Sequence, residues 1–104
     1  MLKNVQKALE QAIPGTEATL TEKLRQSAIA HGWHPDVVAH MNVQHKDGAF
    51  HAVIAPEYSD RAFVHEFGDE SSRPTAVLRK FGNDTNAIHQ TYMDKVNEQY
   101  GRLR

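Results

Sequence analysis

Hydrophobic positions change period along this chain, and each change predicts an element. Leu2, Val5, Leu9 and Ile13 recur every three to four residues, which predicts a first helix with one apolar stripe. Pro14-Gly15 predicts its end. Thr19-Leu20-Thr21-Glu22 reads as a capping box, in which hydroxyl and carboxylate satisfy orphan amides reciprocally and open a second helix. Its apolar face is Leu20, Leu24, Ala28 and Ile29, and Gly32 is the expected stop before Trp33 and Pro35 turn the chain out.

From Val37 the period shortens to two. Val37, Ala39, Met41 and Val43 alternate with Val38, His40, Asn42 and Gln44; after Asp47-Gly48, Phe50, Ala52 and Ile54 alternate with His51, Val53 and Ala55. Asp-Gly between alternating runs predicts a hairpin with a two-residue turn. That turn pairs His45 with Phe50, Val43 with Ala52 and Met41 with Ile54, so the apolar residues of both strands share a face. His40, Asn42, Gln44 and His51 take the other face. Residues 55–60 read as a loop, and Arg61 to Phe67 as a third short strand, although Phe63 and Phe67 share a parity with Arg61 and His65. Gly68 to Arg73 is polar. Pro74 suits the first turn of a short helix through Phe81, closed by Gly82. Asn83 or Asp84 can cap a last helix striped by Ile88, Tyr92, Val96, Tyr100 and Leu103, with Lys95, Arg102 and Arg104 toward its C-terminal end.

These elements predict one α+β domain over residues 1–104: a small antiparallel three-stranded sheet, with N-terminal helices and a long C-terminal helix packed on one face. An open sheet edge invites strand addition by a neighbour. The last helix exceeds what so small a sheet covers, so its final turns are expected to reach a neighbour or to stay mobile until assembly.

Composition narrows the function classes. The 104 residues carry a formal charge of −1, which argues against a nucleic-acid binder acting through bulk electrostatics. There is no cysteine, hence no disulfide framework and no thiolate metal site. No apolar run approaches a membrane span, and Met1-Leu2-Lys3-Asn4-Val5-Gln6 lacks the apolar core of a signal peptide. Seven histidines raise the question of a metal. His31 with His34, and His40 with His51 on the polar sheet face, are the pairs that could meet, but zinc wants three or four ligands together. His65-Glu66 begins like a His-Glu-x-x-His motif, yet Asp69 stands where the second histidine belongs. Ser27, Ser59, Ser71 and Ser72 lack a nucleophile-elbow setting, and the glycines are dispersed as single turn markers. No catalytic residue, cofactor site or metal site is expected.

One stretch carries more information than the rest. Phe63-Val64-His65-Glu66-Phe67-Gly68 is followed by a polar loop, Asp69-Glu70-Ser71-Ser72-Arg73, then Pro74, then Leu78-Arg79-Lys80-Phe81. The order of a strand ending in Glu-aromatic-Gly, a polar loop, a proline and a Leu-Arg helix start resembles the tail-completion, or head–tail joining, family of tailed bacteriophages. Asp69 stands where that pattern usually has Thr, one proline stands where two are common, and Lys80 replaces a frequent proline or arginine. The specific match covers some twenty residues, and element order extends it across most of the chain. The resemblance implies a virion structural protein, not an enzyme, that completes the tail end or joins tail to head in a ring at the neck. It implies a ring of six or twelve copies, a portal-side connector and tail terminator or tail tube proteins as neighbours, and DNA that passes without sequence-specific binding. Phe63, Val64, Glu66, Phe67, Gly68, Pro74, Leu78, Arg79 and Phe81 would be the motif residues, and 69–73 a loop facing the DNA channel or a neighbouring subunit. Physical chemistry gives them expected roles. Gly68 permits a turn with positive φ, Glu66 accepts from the following loop, Arg79 pairs with Glu66 or a neighbour, and Phe67 and Phe81 pack the loop between them. The alternatives are another neck, tail or minor capsid component, or a small cytosolic binding module of the toxin–antitoxin kind. For a toxin, His65, Glu66 and Arg79 are the only compact polar group on offer.

Overall fold

A computed structural model describes residues 2–103. Arg104, one of the cations expected near the end of the last helix, lies outside the described residues. The elements are α1 (Leu2–Ala30), α2 (Pro35–Ala39), β1 (Met41–Lys46), β2 (Ala49–Ile54), a 3-10 turn (Pro56–Tyr58), α3 (Ser59–Phe67), α4 (Val77–Asn83) and α5 (Thr85–Leu103). The expected three-stranded sheet is not present. The described sheet has two strands, β1 and β2, and the remainder is mostly helical, so the fold is α+β only in a broad sense.

The two helices expected at the N-terminus are one. Helix α1 runs 29 residues through Pro14, roughly 43 Å at 1.5 Å per residue. A proline inside a helix costs about 3 kcal/mol by removing one amide and crowding the preceding turn. Packing on both sides of the proline outweighs it: Ala8, Ala12, Thr16, Leu20, Leu24 and Ala28 form one unbroken buried line. Each four-residue step carries that line about 40° around the helix. Its start therefore faces α5, where Ala8 and Ala12 pack on Val96 with Tyr92, Tyr100 and Leu103. Its end faces the body, where Leu20, Leu24 and Ala28 join Trp33, Val37, Val38, Met41, Val43, Ala62 and Val77. The expected stripe was the wrong one. Leu2 is 85% exposed, and Val5 and Leu9 each keep about two-fifths of their surface in solvent, because close approach of two helices is made by the alanines. Gly15 serves the same contact: the Lys95 stem lies 3.5 Å from where a Cβ would stand. Thr19–Glu22 falls inside α1 and caps nothing.

Val37 and Val38 are both buried, which a strand with one buried face does not allow and a helical turn does. The local signal is His34-Pro35-Asp36: His34 caps α2, accepting from the Asp36 amide, with proline in the first turn. The hairpin itself follows expectation. Its register is Met41–Ile54, Val43–Ala52 and His45–Phe50, and Asp47 (φ 53°) and Gly48 (φ 80°) supply the left-handed turn residues.

The third strand is helix α3. Ala62 and Glu66 are buried four residues apart, and Phe63 and Phe67 lie one turn apart on the outer side. Period four, not two, organises the segment, which is why its alternation was imperfect. Pro74 lies outside α4, which begins at Val77 after a left-handed Ala76 (φ 56°) and continues past Gly82. Helix α5 starts where expected, with the Asp84 carboxylate accepting from the Ala87 amide at 3.3 Å. Its final turns lie along the first half of α1, and the molecule extends 57 × 24 × 21 Å as a result.

Candidate functional site

The resemblance residues converge on the joint between α3 and α4. Glu66 is 2% exposed. One carboxylate oxygen accepts from the Leu78 amide at 2.7 Å; the other accepts from the Arg79 amide at 3.0 Å and from Arg79 Nε at 2.8 Å. Arg79 Nη2 donates back to the Glu66 carbonyl at 2.9 Å. The carboxylate therefore caps the first turn of α4 from a different helix, and the guanidinium closes the loop on Glu66's own backbone. Burial pushes the Glu66 carboxyl up, but the Arg79 side chain and the Leu78 and Arg79 amides together outweigh it and hold the carboxyl below its ordinary value. Two ladder-like bonds extend the joint: Thr75 N–H to the His65 carbonyl at 3.1 Å and Ala76 N–H to the Glu66 carbonyl at 3.2 Å.

Gly68 makes the turn possible for two separate reasons. At φ 78° and ψ 175° it occupies a region open only to glycine. A Cβ there would also stand 2.7 Å from the Ser72 carbonyl and 2.8 Å from the Pro74 nitrogen. Beyond it, Asp69 folds the loop onto itself. Its carboxylate accepts from the Ser71 amide at 2.9 Å and the Ser71 hydroxyl at 3.0 Å, and its own amide reaches the Ser72 carbonyl at 3.0 Å. The Ser71 amide is the main reason that carboxyl sits below its usual value. Asp69, Glu70, Ser71, Ser72, Arg73 and Pro74 are all exposed.

Phe67 and Phe81 do not sandwich the loop. Phe67 sits beside Phe63, ring centroids 4.7 Å apart, and under Arg79, whose guanidinium carbon is 4.4 Å from the ring centre. Phe81 packs on the main core together with Leu78. Phe63 (61% exposed) and Phe67 (47%) thus form an apolar outer patch around Arg79, while Val64 is half-buried.

A second set of contacts, unread in the sequence, ties this joint to the end of α1. Trp33 is buried and stacks on His65 at 5.1 Å. Its indole N–H donates to the Thr75 hydroxyl at 2.8 Å, which donates to the His65 carbonyl at 2.8 Å. His65 Nε2 accepts from the His34 amide at 3.1 Å. Burial, and then the nearby His34, lower the His65 pKa from 6.5. Trp33, His34 and Thr75 carry no joint signal of their own, because the contacts span 31 to 42 residues of chain.

The remaining histidines are held apart. His31 is bonded to the Ser27 carbonyl, His40 stacks on Tyr58 at 4.2 Å, and His51 lies against the Lys46 carbonyl. The sheet pairing of His40 with His51 does not occur, since His40 precedes β1. Among the described residues no three His, Cys, Asp or Glu side chains gather closely enough to hold a metal ion. No described helix is long and apolar enough to cross a membrane. At the joint, both Glu66 oxygens and His65 Nε2 are turned onto backbone amides, so the arrangement holds chain segments together.

The chain matches no protein-family model, no curated protein and no solved structure.

Proposed function

We propose that this chain is a virion structural protein that completes the tail end, or joins tail to head, in a ring at the neck of a tailed bacteriophage. One observation carries the reading: the residues shared with the tail-completion pattern, Glu66, Gly68, Leu78 and Arg79, meet in a single joint, and each acts there as a device of the fold. A motif used to build a joint suits an assembly part, whose function is its shape. The element order agrees in part: a first helix, a hairpin, a proline-bearing loop and a terminal helix stand in sequence, whereas the Glu-aromatic-Gly segment ends helix α3 where the resemblance implies a third strand. The Phe63–Phe67 patch beside the joint offers apolar surface for a neighbouring subunit. The Asp69-Glu70 loop tip is exposed and acidic, which suits a surface past which DNA must move without being held.

In this reading the protein forms a ring of six or twelve copies between a portal-side connector and the tail terminator or tail tube. Quantitative mass spectrometry of purified particles tests it. Six or twelve copies per particle is the expected result. Hundreds of copies would assign the chain to tube or capsid, and absence from particles would refute the virion reading. For the loop, an Asp69→Lys, Glu70→Lys variant should slow DNA ejection; normal ejection would take the loop out of the channel.

A further inference from the structure

The two edges of the hairpin are treated differently. Along β1, Val43 N–H donates to the Thr21 hydroxyl at 2.8 Å, His45 N–H donates to the Glu17 carboxylate at 2.8 Å, and the Met41 carbonyl accepts from Arg25 Nε at 2.9 Å. Glu17, Thr21 and Arg25 stand four residues apart on α1 and so form a row parallel to the strand. They occupy the backbone groups that would otherwise pair with a further strand. Antiparallel alternation then makes Asn42–Val53, Gln44–His51 and Lys46–Ala49 the hydrogen-bonded pairs within the hairpin. By the same alternation, Phe50, Ala52 and Ile54 turn their N–H and C=O groups away from β1. Among the described residues no hydrogen bond reaches these groups, although helix α4 packs against β2. A hollow of about 610 Å³, lined by Phe50, His51, Gly82, Thr85 and His89 among others, lies between the hairpin tip and the α4–α5 junction, while the Phe50 ring packs inward on Tyr92 of α5 at 5.7 Å.

We infer that the open edge of β2 pairs with the same edge of a second copy, giving a four-stranded antiparallel sheet in the order β1-β2-β2-β1. The occupant follows from what a second copy can offer. Its β1 edge is closed by α1, so among the described residues β2 is the one strand edge it can present. The pairing is then two-fold and self-complementary. Centred on Ala52, it sets Ala52 opposite Ala52, Phe50 opposite Ile54 of the second copy, and His51 opposite Val53 of the second copy. In this register the outward-turned residues face one another as hydrogen-bonded pairs, each exchanging N–H and C=O. Phe50, Ala52 and Ile54 of both copies extend one apolar face, and no charge stands opposite a like charge. This inference concerns the free chain and does not depend on the virion reading.

The test is sedimentation of the full chain over a concentration series reaching about 1 mM. A concentration-dependent dimer is expected. Ala52→Pro should weaken it at least tenfold with an unchanged circular dichroism spectrum, because the Ala52 amide points out of the hairpin and proline removes no internal ladder bond. A second pair of variants acts on exposed side chains and leaves the edge backbone intact. His51→Glu with Val53→Glu sets carboxylate against carboxylate across the two copies and should abolish pairing. His51→Lys with Val53→Glu sets opposite charges in the same places and should restore it. A chain that stays monomeric throughout overturns the inference, as does a dimer indifferent to Ala52→Pro and to the Glu/Glu variant. Equal loss in the Glu/Glu and Lys/Glu variants would overturn the register.

Discussion

The body of this molecule and its arm are stabilised in different ways. In the body, α1, α2, β1, α3 and α4 all contribute buried residues to one cluster. A buried carboxylate and a stacked Trp–His pair then lock its outer segments in place. The arm is the first half of α1 against the second half of α5, and its fully buried residues are Ala8, Ala12 and Val96. Thin packing of this kind has few apolar contacts to lose, so the arm should open at lower free energy than the body. Long-range polar ties bind the outer segments of the body to one another, whereas a helix pair held by small residues can fray from its free end.

The largest effect should come from cutting the central tie. Glu66→Ala leaves the Arg79 guanidinium and two amides without their acceptor, and about 3 kcal/mol of stability should be lost in urea unfolding. A loss under about 1 kcal/mol would mean that α3 and α4 are held by packing alone. Next comes the turn. Gly68→Ala should cost about 2–3 kcal/mol, since it adds a backbone clash to a forbidden conformation. Gly32→Ala, at φ 80° with open space around it, should cost only about 1 kcal/mol. Equal costs would show that the crowding at Gly68 relaxes freely. In the arm, Val96→Ala should cost about 1–2 kcal/mol. Hydrogen exchange should then accelerate in residues 4–12 and 92–103 while Trp33 fluorescence is unchanged; acceleration throughout would make arm and body one unit.

The smallest expected effect is a pH dependence confined to the body. His65 has its pKa lowered in the fold, so the folded chain refuses a proton that the unfolded chain accepts. Its contribution is complete above the ordinary histidine value of 6.5 and is lost as pH falls below it. A protonated His65 can no longer accept from the His34 amide. Trp33, the one tryptophan of the chain, stacks on this ring and should report the change in its fluorescence. His65→Gln should flatten that titration. Glu66 acts in the same direction at lower pH: its carboxyl is held below its ordinary value of 4.5, so its contribution is complete above that value and is gone once pH has fallen through the lowered one.

Local chemistry was enough for some elements. Asp47-Gly48 sets both the hairpin and its register, because two residues that accept positive φ leave one way to pair the flanking strands. Asp84 opens α5 by a bond to an amide three residues on. Gly68 declares its turn, since no other residue adopts its backbone conformation. Glu66 and Arg79 were recognisable as candidates through a short pattern, although their meeting depends on how α3 and α4 pack together.

Tertiary structure decided the rest. Pro14 and Gly15 look like a stop, but a stop reads only the local cost, whereas burial of Ala8 to Ala28 along one line comes from α5 and the body. Residues 61–67 carry an ambiguous pattern, since positions four apart share a face in a helix and in a strand alike; the helix sets Ala62 and Glu66 one turn apart on the buried side. The row Glu17, Thr21, Arg25 is visible as a four-residue spacing, but its role depends on which strand lies beside it. Sequence by itself determined the turns and caps, whose energies are settled within a few residues. Which surfaces became core, and which edge of the sheet stayed open, depended on contacts between segments far apart in the chain, where burial outweighs local preference.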